Sequence, residues 1–352
     1  MSESLAQVMF AIPGDIEAPT GGYGYDRRLL RLLPSYGLDA RHVALPASFP
    51  NPSEVDLATT ERLLAATPAD ARLLIDGLAY GAMPADLIQR LDRRIIALIH
   101  HPLAFESGTP QARREALLAS ERAALALARR VVVTSEATRR TLIADYGVAE
   151  KSIVVAEPGT DPAARATGTG MPMQLLAVGA VSPRKGYDVL VTALEHLADL
   201  PWRLVITGAD DRSPETTRKI RDAIAASGLA DRIDLRGAAD VATLERLYAE
   251  ADVFVMPSLF EGYGMVLGEA MARGLPIVCT TGGAAAETVP DDAALKVPPG
   301  DPAALAGALR TVLTDTQKRA RMADASWAGS EGLPRWADTA RIIADVLRKV
   351  AP

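Results

Sequence analysis

Short runs of apolar, mostly β-branched residues alternate with longer stretches of helical period along nearly the whole chain. Val8-Met9-Phe10-Ala11-Ile12 opens the series, and a glycine-rich turn leads into a helix carrying Leu29, Leu30, Leu32 and Leu33. Leu73-Leu74-Ile75, Ile95-Ile96-Ala97-Leu98-Ile99 and Val131-Val132-Val133 follow. The segments between them, such as 112–129, are rich in Ala, Leu and Arg, which favour helix. Strands that are apolar at nearly every position, alternating with helices, predict parallel sheets covered on both faces.

The rhythm stops over residues 157–172, where Pro158, Gly159, Pro162, Gly168, Gly170 and Pro172 crowd a stretch of low apolar content, as in a linker. It restarts at Leu175-Leu176-Ala177-Val178-Gly179. It continues through Leu204-Val205-Ile206, Ile233-Asp234-Leu235, Val253-Phe254-Val255 and Ile277-Val278-Cys279. Ser213-Pro214 and Asp301-Pro302 each set a capping side chain before a first-turn proline. The pattern predicts an α/β protein of two Rossmann-like domains with a cleft between them. Residues 1–165 form the first domain and 171–333 the second, with 334–352 as a terminal helical segment.

Size supports this division, since 352 residues exceed one ordinary core. A hydrophobic content of 49% with 23% charged residues fits a globular protein. The net charge of −6 argues against a nucleic-acid partner. Arginine doublets (27–28, 93–94, 113–114, 129–130, 139–140) read as solvated helix faces, with an anion-binding or peripheral membrane patch on the N-terminal domain as the alternative. The lone Cys279 lies in an apolar run and reads as a buried strand residue. The four histidines lack metal-ligand spacing. No N-terminal leader pattern and no apolar run of the ~20 residues that span a bilayer is present, so the expected location is cytoplasmic, at most at the inner face of a membrane.

The most informative stretch is Pro257-Ser258-Leu259-Phe260-Glu261-Gly262-Tyr263-Gly264-Met265-Val266-Leu267-Gly268-Glu269-Ala270-Met271-Ala272. It follows a strand, passes two glycines and enters a helix, at the end of a doubly wound sheet where ligands bind. Gly262 and Gly264 admit a close ligand, and the next amides offer donors to an anion such as a diphosphate. Glu261 can reach a sugar, and Glu269, about two helical turns further in, can accept from ribose hydroxyls. A second constellation, Val178-Gly179-Ala180-Val181-Ser182-Pro183-Arg184-Lys185-Gly186, puts two cations at another strand end. Cations preorganised there stabilise the charge of a departing nucleoside diphosphate.

The Glu261-to-Glu269 run and the Ala-Met-Ala-Arg-Gly-Leu-Pro that closes it resemble the signature of retaining glycosyltransferases of family 4. The resemblance spans nearly the whole chain, most closely from Leu175 to Gly300. It implies the GT-B fold, a UDP- or GDP-linked sugar donor, no cofactor and no bound metal. It further implies that Glu261 faces the transferred sugar, that Glu269 meets the ribose, and that Tyr263 and Met265 line the donor with their glycine neighbours. Many members have proline where Val266 stands. Lys185 matches the family's Lys-Gly, whereas the partner arginine is replaced by Ala180, with Arg184 as the substitute.

By the same resemblance, Gly21 and Gly22 in Thr20-Gly21-Gly22-Tyr23-Gly24 contact the donor. A histidine after Ile99, His100 or its neighbour His101, lies by the transferred sugar and acceptor. The base meets the backbone at Gly237 and Ala238, with Gly208 in the same pocket. The segment from Pro334, with Trp336, resembles the family's closing helix, which returns to the first domain. The expected activity is transfer of a hexosyl unit to a glycan, lipid or small-molecule acceptor. A sugar phosphorylase, a nucleotide-sugar epimerase and a non-catalytic nucleotide-sugar binder remain as alternatives. A nicotinamide dehydrogenase ranks lowest, because no Gly-x-Gly-x-x-Gly follows the first strand.

Overall fold

A computed structural model describes residues 6–350, in two compact units. One comprises the chain up to Gly159 together with the segment from Pro334, and the other runs from Thr160 to Leu333. The expectation about a leader falls partly on residues 1–5, outside the described residues, as do residues 351–352. Among the described residues no helix is long and apolar enough to cross a membrane.

The first unit holds strands β1 (Ala6–Pro13), β2 (Leu38–Leu45), β3 (Arg72–Asp76), β4 (Ile95–Ile99), β5 (Arg130–Val133) and β6 (Ile153–Val155), in the sheet order β2-β1-β3-β4-β5-β6. The second holds β7 (Met173–Val178), β8 (Trp202–Thr207), β9 (Ile233–Arg236), β10 (Val253–Met256), β11 (Ile277–Thr280) and β12 (Ala294–Val297), in the order β12-β11-β10-β7-β8-β9. Every pairing is parallel. Central strands such as β4 and β10 are buried at every residue because helices cover both faces, which explains their unbroken apolar sequence.

The two orders are not the same. Counted within its own unit, the second sheet reads 3-2-1-4-5-6, the dinucleotide-fold order, while the first reads 2-1-3-4-5-6, the other common doubly wound order. Each order reverses once, between β7 and β10 in the second unit and between β1 and β3 in the first. The crevice at a reversal, outside the carboxyl ends of the strands, is where such folds bind ligands.

Two local expectations change and one holds. Residues 160–170 are held to the second unit: Ala166 N–H donates to Arg273 O (2.9 Å), Thr167 N–H to Ala249 O (3.0 Å) and Gly170 N–H to Asp252 Oδ1 (3.2 Å). Asp301 caps the helix Pro302–Thr314 by accepting from Ala304 N–H (2.9 Å). Ser213 makes no such cap, because its hydroxyl pairs with Thr216 Oγ1 (2.7 Å).

The helix Trp336–Lys349 packs in the first unit: Thr339 Oγ1 donates to Glu157 O (2.7 Å), Arg72 Nε to Leu347 O (2.7 Å) and Tyr36 OH to Ala337 O (2.7 Å). Cys279 is buried in β11, and burial pushes its thiol up to about 12 despite nearby Lys296. The arginine doublets are largely tied down: Arg93 donates to Ala71 O, Arg113 to Pro50 O, and Arg139 pairs with Glu136 and Glu150.

Candidate active site

In the second unit, the chain leaving β7 passes Gly179 and makes one 3₁₀ turn, Pro183–Lys185, before the helix Tyr187–Glu195. The two cations thus sit ahead of the helix, not on its first turn. A Cβ on Gly179 would lie 2.9 Å from Lys185 Cε, so only glycine lets the lysine fold back over its own strand end. Lys185 Nζ donates to Glu261 Oε1 (2.6 Å). Arg184 Nη1 donates to Glu261 Oε2 (3.1 Å) and to Phe260 O (2.7 Å). Sequence-predicted Arg184, Lys185 and Glu261 therefore form one ion cluster, drawn from the loops after β7 and β10 at the order reversal.

Glu261 is 6% exposed. Burial alone would raise its carboxyl, but Lys185 and Arg184 outweigh it and hold the group at about 2. Its backbone is pinned by the loop after β11, with Glu261 N–H donating to Gly282 O (3.1 Å) and Ala284 N–H to Glu261 O (2.8 Å). Sequence reasoning missed this Gly282-Gly283 support, although a glycine pair just past a strand was the available signal.

Gly262 and Tyr263 are buried, and Thr288 Oγ1 donates to Tyr263 O (2.8 Å). Gly264, with φ +87°, precedes the helix Met265–Met271. Glu269 lies in the second turn of that seven-residue helix, nearer its start than the expected two turns. Its Oε2 accepts from Tyr248 OH (2.8 Å), a partner the sequence did not reveal. Burial raises the Glu269 carboxyl, opposed by Tyr248 and Arg273. Arg273 lies 4.4 Å over the Tyr248 ring and donates to Glu269 O (2.9 Å). Gly208 N–H and Thr207 Oγ1 both donate to Gly237 O (3.3 and 3.0 Å), which joins the loops after β8 and β9. Ala238 is exposed beside them.

In the first unit, Gly21 and Gly22 begin the helix Gly21–Leu32, capped by Thr20, and do not form a loop. A Cβ on Gly22 would sit 3.3 Å from His100 Cδ2, so the glycine makes room for that ring. His100 Nε2 lies 3.1 Å from Asp26 Oδ1 and 3.3 Å from Asp76 Oδ2. His101 turns elsewhere, with Nε2 3.2 Å from Glu106 Oε2. Asp26 and Asp76 escaped the sequence reading. Burial disfavours a charged His100, yet the two carboxylates outweigh it and raise the imidazole to about 10. The three polar groups lie within 4.8 Å of one another, close enough for a cation. One imidazole nitrogen already serves both carboxylates, which is the pattern of a hydrogen-bonded cluster.

The family described as "Glycosyl transferases group 1" matches residues 172–315, and "Glycosyltransferase Family 4" matches residues 59–164. D-inositol 3-phosphate glycosyltransferase of Kineococcus radiotolerans is 32% identical over 248 residues, covering 62% of this chain and 57% of that protein. The chain spans little more than half the length of the first curated relatives it matches. Sucrose-phosphate synthase from Thermosynechococcus elongatus superposes with a TM-score of 0.81 at 22% identity, covering 98% of each chain. Anabaena HepE in complex with UDP-glucose gives 0.78 at 19%, covering 98% and 100%. These likenesses show a shared fold, the GT-B type with two parallel-sheet α/β domains.

Proposed function

Because the chain belongs to the glycosyltransferases of family 4 and group 1, we propose that it is a retaining hexosyltransferase that takes its sugar from a UDP- or GDP-linked donor. The observation that carries this reading is the Arg184–Lys185–Glu261 cluster at the order reversal of the second sheet. Two cations against one carboxylate leave net positive charge at a strand-end crevice, suited to a diphosphate whose charge grows as it leaves. That charge stands in for a bound metal, so the reaction runs without one.

Both oxygens of Glu261 are occupied by cations, and its carboxyl is held at about 2. Such a group is a poor base and a poor acid at neutral pH, and its proposed task is to orient the sugar's hydroxyls. The acceptor oxygen then bonds to the anomeric carbon on the face from which the diphosphate oxygen departs, and the acceptor's proton passes to the diphosphate. Glu269 and the loops at Gly208, Gly237 and Ala238 take the nucleoside. Gly262, Tyr263, Gly264 and Met265 line the donor, as do Gly21 and Gly22, while His100 serves the transferred sugar. The name of the 32%-identical relative points the acceptor search to phosphorylated polyols. A cytoplasmic location, with at most peripheral membrane contact, belongs to the same proposal.

The test is release of nucleoside diphosphate from a panel of UDP- and GDP-hexoses, with and without acceptor, in buffer containing EDTA. Acceptor-dependent release with the anomeric configuration kept, seen by NMR of the product, is the expected result. Turnover that needs inorganic phosphate, conversion of donor without acceptor, binding without turnover, or activity lost to EDTA and restored by magnesium or manganese would each overturn part of the reading.

A further inference from the structure

A wholly buried aspartate in the middle of a helix needs a reason, because an unpaired buried carboxylate is strongly unfavourable. Asp26 is such a residue, 0% exposed in the helix Gly21–Leu32. Its Oδ1 faces His100 Nε2 at 3.1 Å, and its Oδ2 is buried with no hydrogen-bond partner. Asp76, at the end of β3, uses Oδ1 to accept from Leu78 N–H (2.7 Å) and sets Oδ2 3.3 Å from the same His100 nitrogen. The helix after β1, the end of β3 and the residue after β4 thus converge at the order reversal of the first sheet. Tyr25 packs edge-on against the imidazole, its hydroxyl committed to Ala156 O (2.8 Å). Among the described residues, the charged groups that act on the ring are Asp26 and Asp76, with Tyr25 as the ionisable group packed against it.

One ring nitrogen facing two carboxylates has to be a donor, and two acids around it favour the doubly protonated ring. We propose that Asp26 is a positioning residue: with Asp76 it fixes His100 through Nε2 as an imidazolium, so that Nδ1 meets the substrate as a hydrogen-bond donor and not as a base. The inference rests on the glycosyltransferase reading for its catalytic consequence, but the state of the ring is independent of it. Burial and Asp76 raise the Asp26 carboxyl while His100 opposes them, so the imidazolium and the carboxylate each favour the other's charged form.

NMR titration of the imidazole resonances tests this directly, with His100 assigned by the signal lost in His100→Gln. In the wild-type chain His100 is expected to stay protonated through pH 8. In Asp26→Asn, which keeps the shape and removes the charge, its midpoint should fall to about 7 or below, so that the ring is mostly neutral at pH 8. At pH 8 kcat should fall about tenfold or more, with donor KM little changed, and should recover as the pH is lowered toward 6 and the imidazolium re-forms. A neutral wild-type His100 at pH 7 overturns the proposal without any variant. So does an Asp26→Asn enzyme whose loss of rate is the same at every pH, or a divalent ion held by the wild type and lost from the variant. If the wild type shows no transfer with any donor, the functional reading fails while the titration still decides the state of His100.

Discussion

Lys185 and Glu269 both belong to the proposed donor site, yet their surroundings give them different expected behaviour. Lys185 is 12% exposed at its side chain and holds Glu261 at 2.6 Å. A diphosphate arriving there competes with that carboxylate, and the lysine's attraction for it grows as the leaving group takes on charge. Lys185→Ala should therefore lower kcat by about a hundredfold or more, the scale of losing one preorganised donor, while nucleotide affinity weakens less. Glu269 is fixed by Tyr248 and Arg273 before any ligand binds. A ribose contact is alike in ground and transition states, so Glu269→Ala should mainly raise donor KM. Initial rates across donor concentrations, on variants whose melting has been checked, separate the two. A near-normal kcat in Lys185→Ala would remove the cluster from the chemistry.

Among the connecting elements, the last stretch leading into β7, residues 169–174, converges on one side chain. Asp252 accepts from Thr169 Oγ1 (3.0 Å), Thr169 N–H (3.3 Å), Gly170 N–H (3.2 Å) and Gln174 N–H (2.8 Å). Hydrogen bonds to a charged group are individually strong, so Asp252→Ala should cost about 2 kcal/mol in urea unfolding, and Asp252→Asn less. Cleavage by protease near residues 168–171 should rise in step, and an unchanged Asp252→Ala would show that other contacts hold this segment.

The sequence showed this stretch only as a linker, since glycine and proline content reveals a break in the rhythm but not which side the break adheres to. Nine of the strands were legible from apolar runs alone, and the three that were not are edges: β2, β6 and β12. β2 mixes polar with apolar residues (Leu38-Asp39-Ala40-Arg41-His42-Val43-Ala44-Leu45) and is buried only at its two ends, because one flank has no neighbouring strand. The candidate site divides in the same way. Residues on glycine-rich strand ends, Lys185 and Glu261, announce themselves, whereas Asp26 is hidden inside a helix where an acid ordinarily means a solvated face. A strand-ending Asp76 followed by Gly77 carried a weak signal that the reading passed over.

At the scale of the whole molecule, chain order and spatial unit part company. The second unit, Thr160–Leu333, is one uninterrupted segment with apolar clusters on both faces of its sheet, around Leu190 and Leu309 on one side and Tyr248 and Leu267 on the other. The first unit is not complete at Gly159. Its helix Trp336–Lys349 buries Trp336 against Tyr25 (centroids 5.6 Å apart), under Arg28 at 5.5 Å, and Tyr25 also bonds Ala156. Removing the chain after Leu333 therefore strips apolar cover from the first unit and nothing from the core of the second. The shortened protein should lose the cooperative melting of its first unit, and with it all sugar transfer. It should still bind UDP or GDP with an affinity within about threefold of the full chain, because the proposed nucleotide contacts at Lys185, Gly208, Gly237 and Glu269 all lie within Thr160–Leu333. Calorimetric melting with isothermal titration of each nucleotide measures both halves of the expectation. If the shortened chain kept a well-folded second unit but no longer bound nucleotide, the donor site would have to be sought outside that unit.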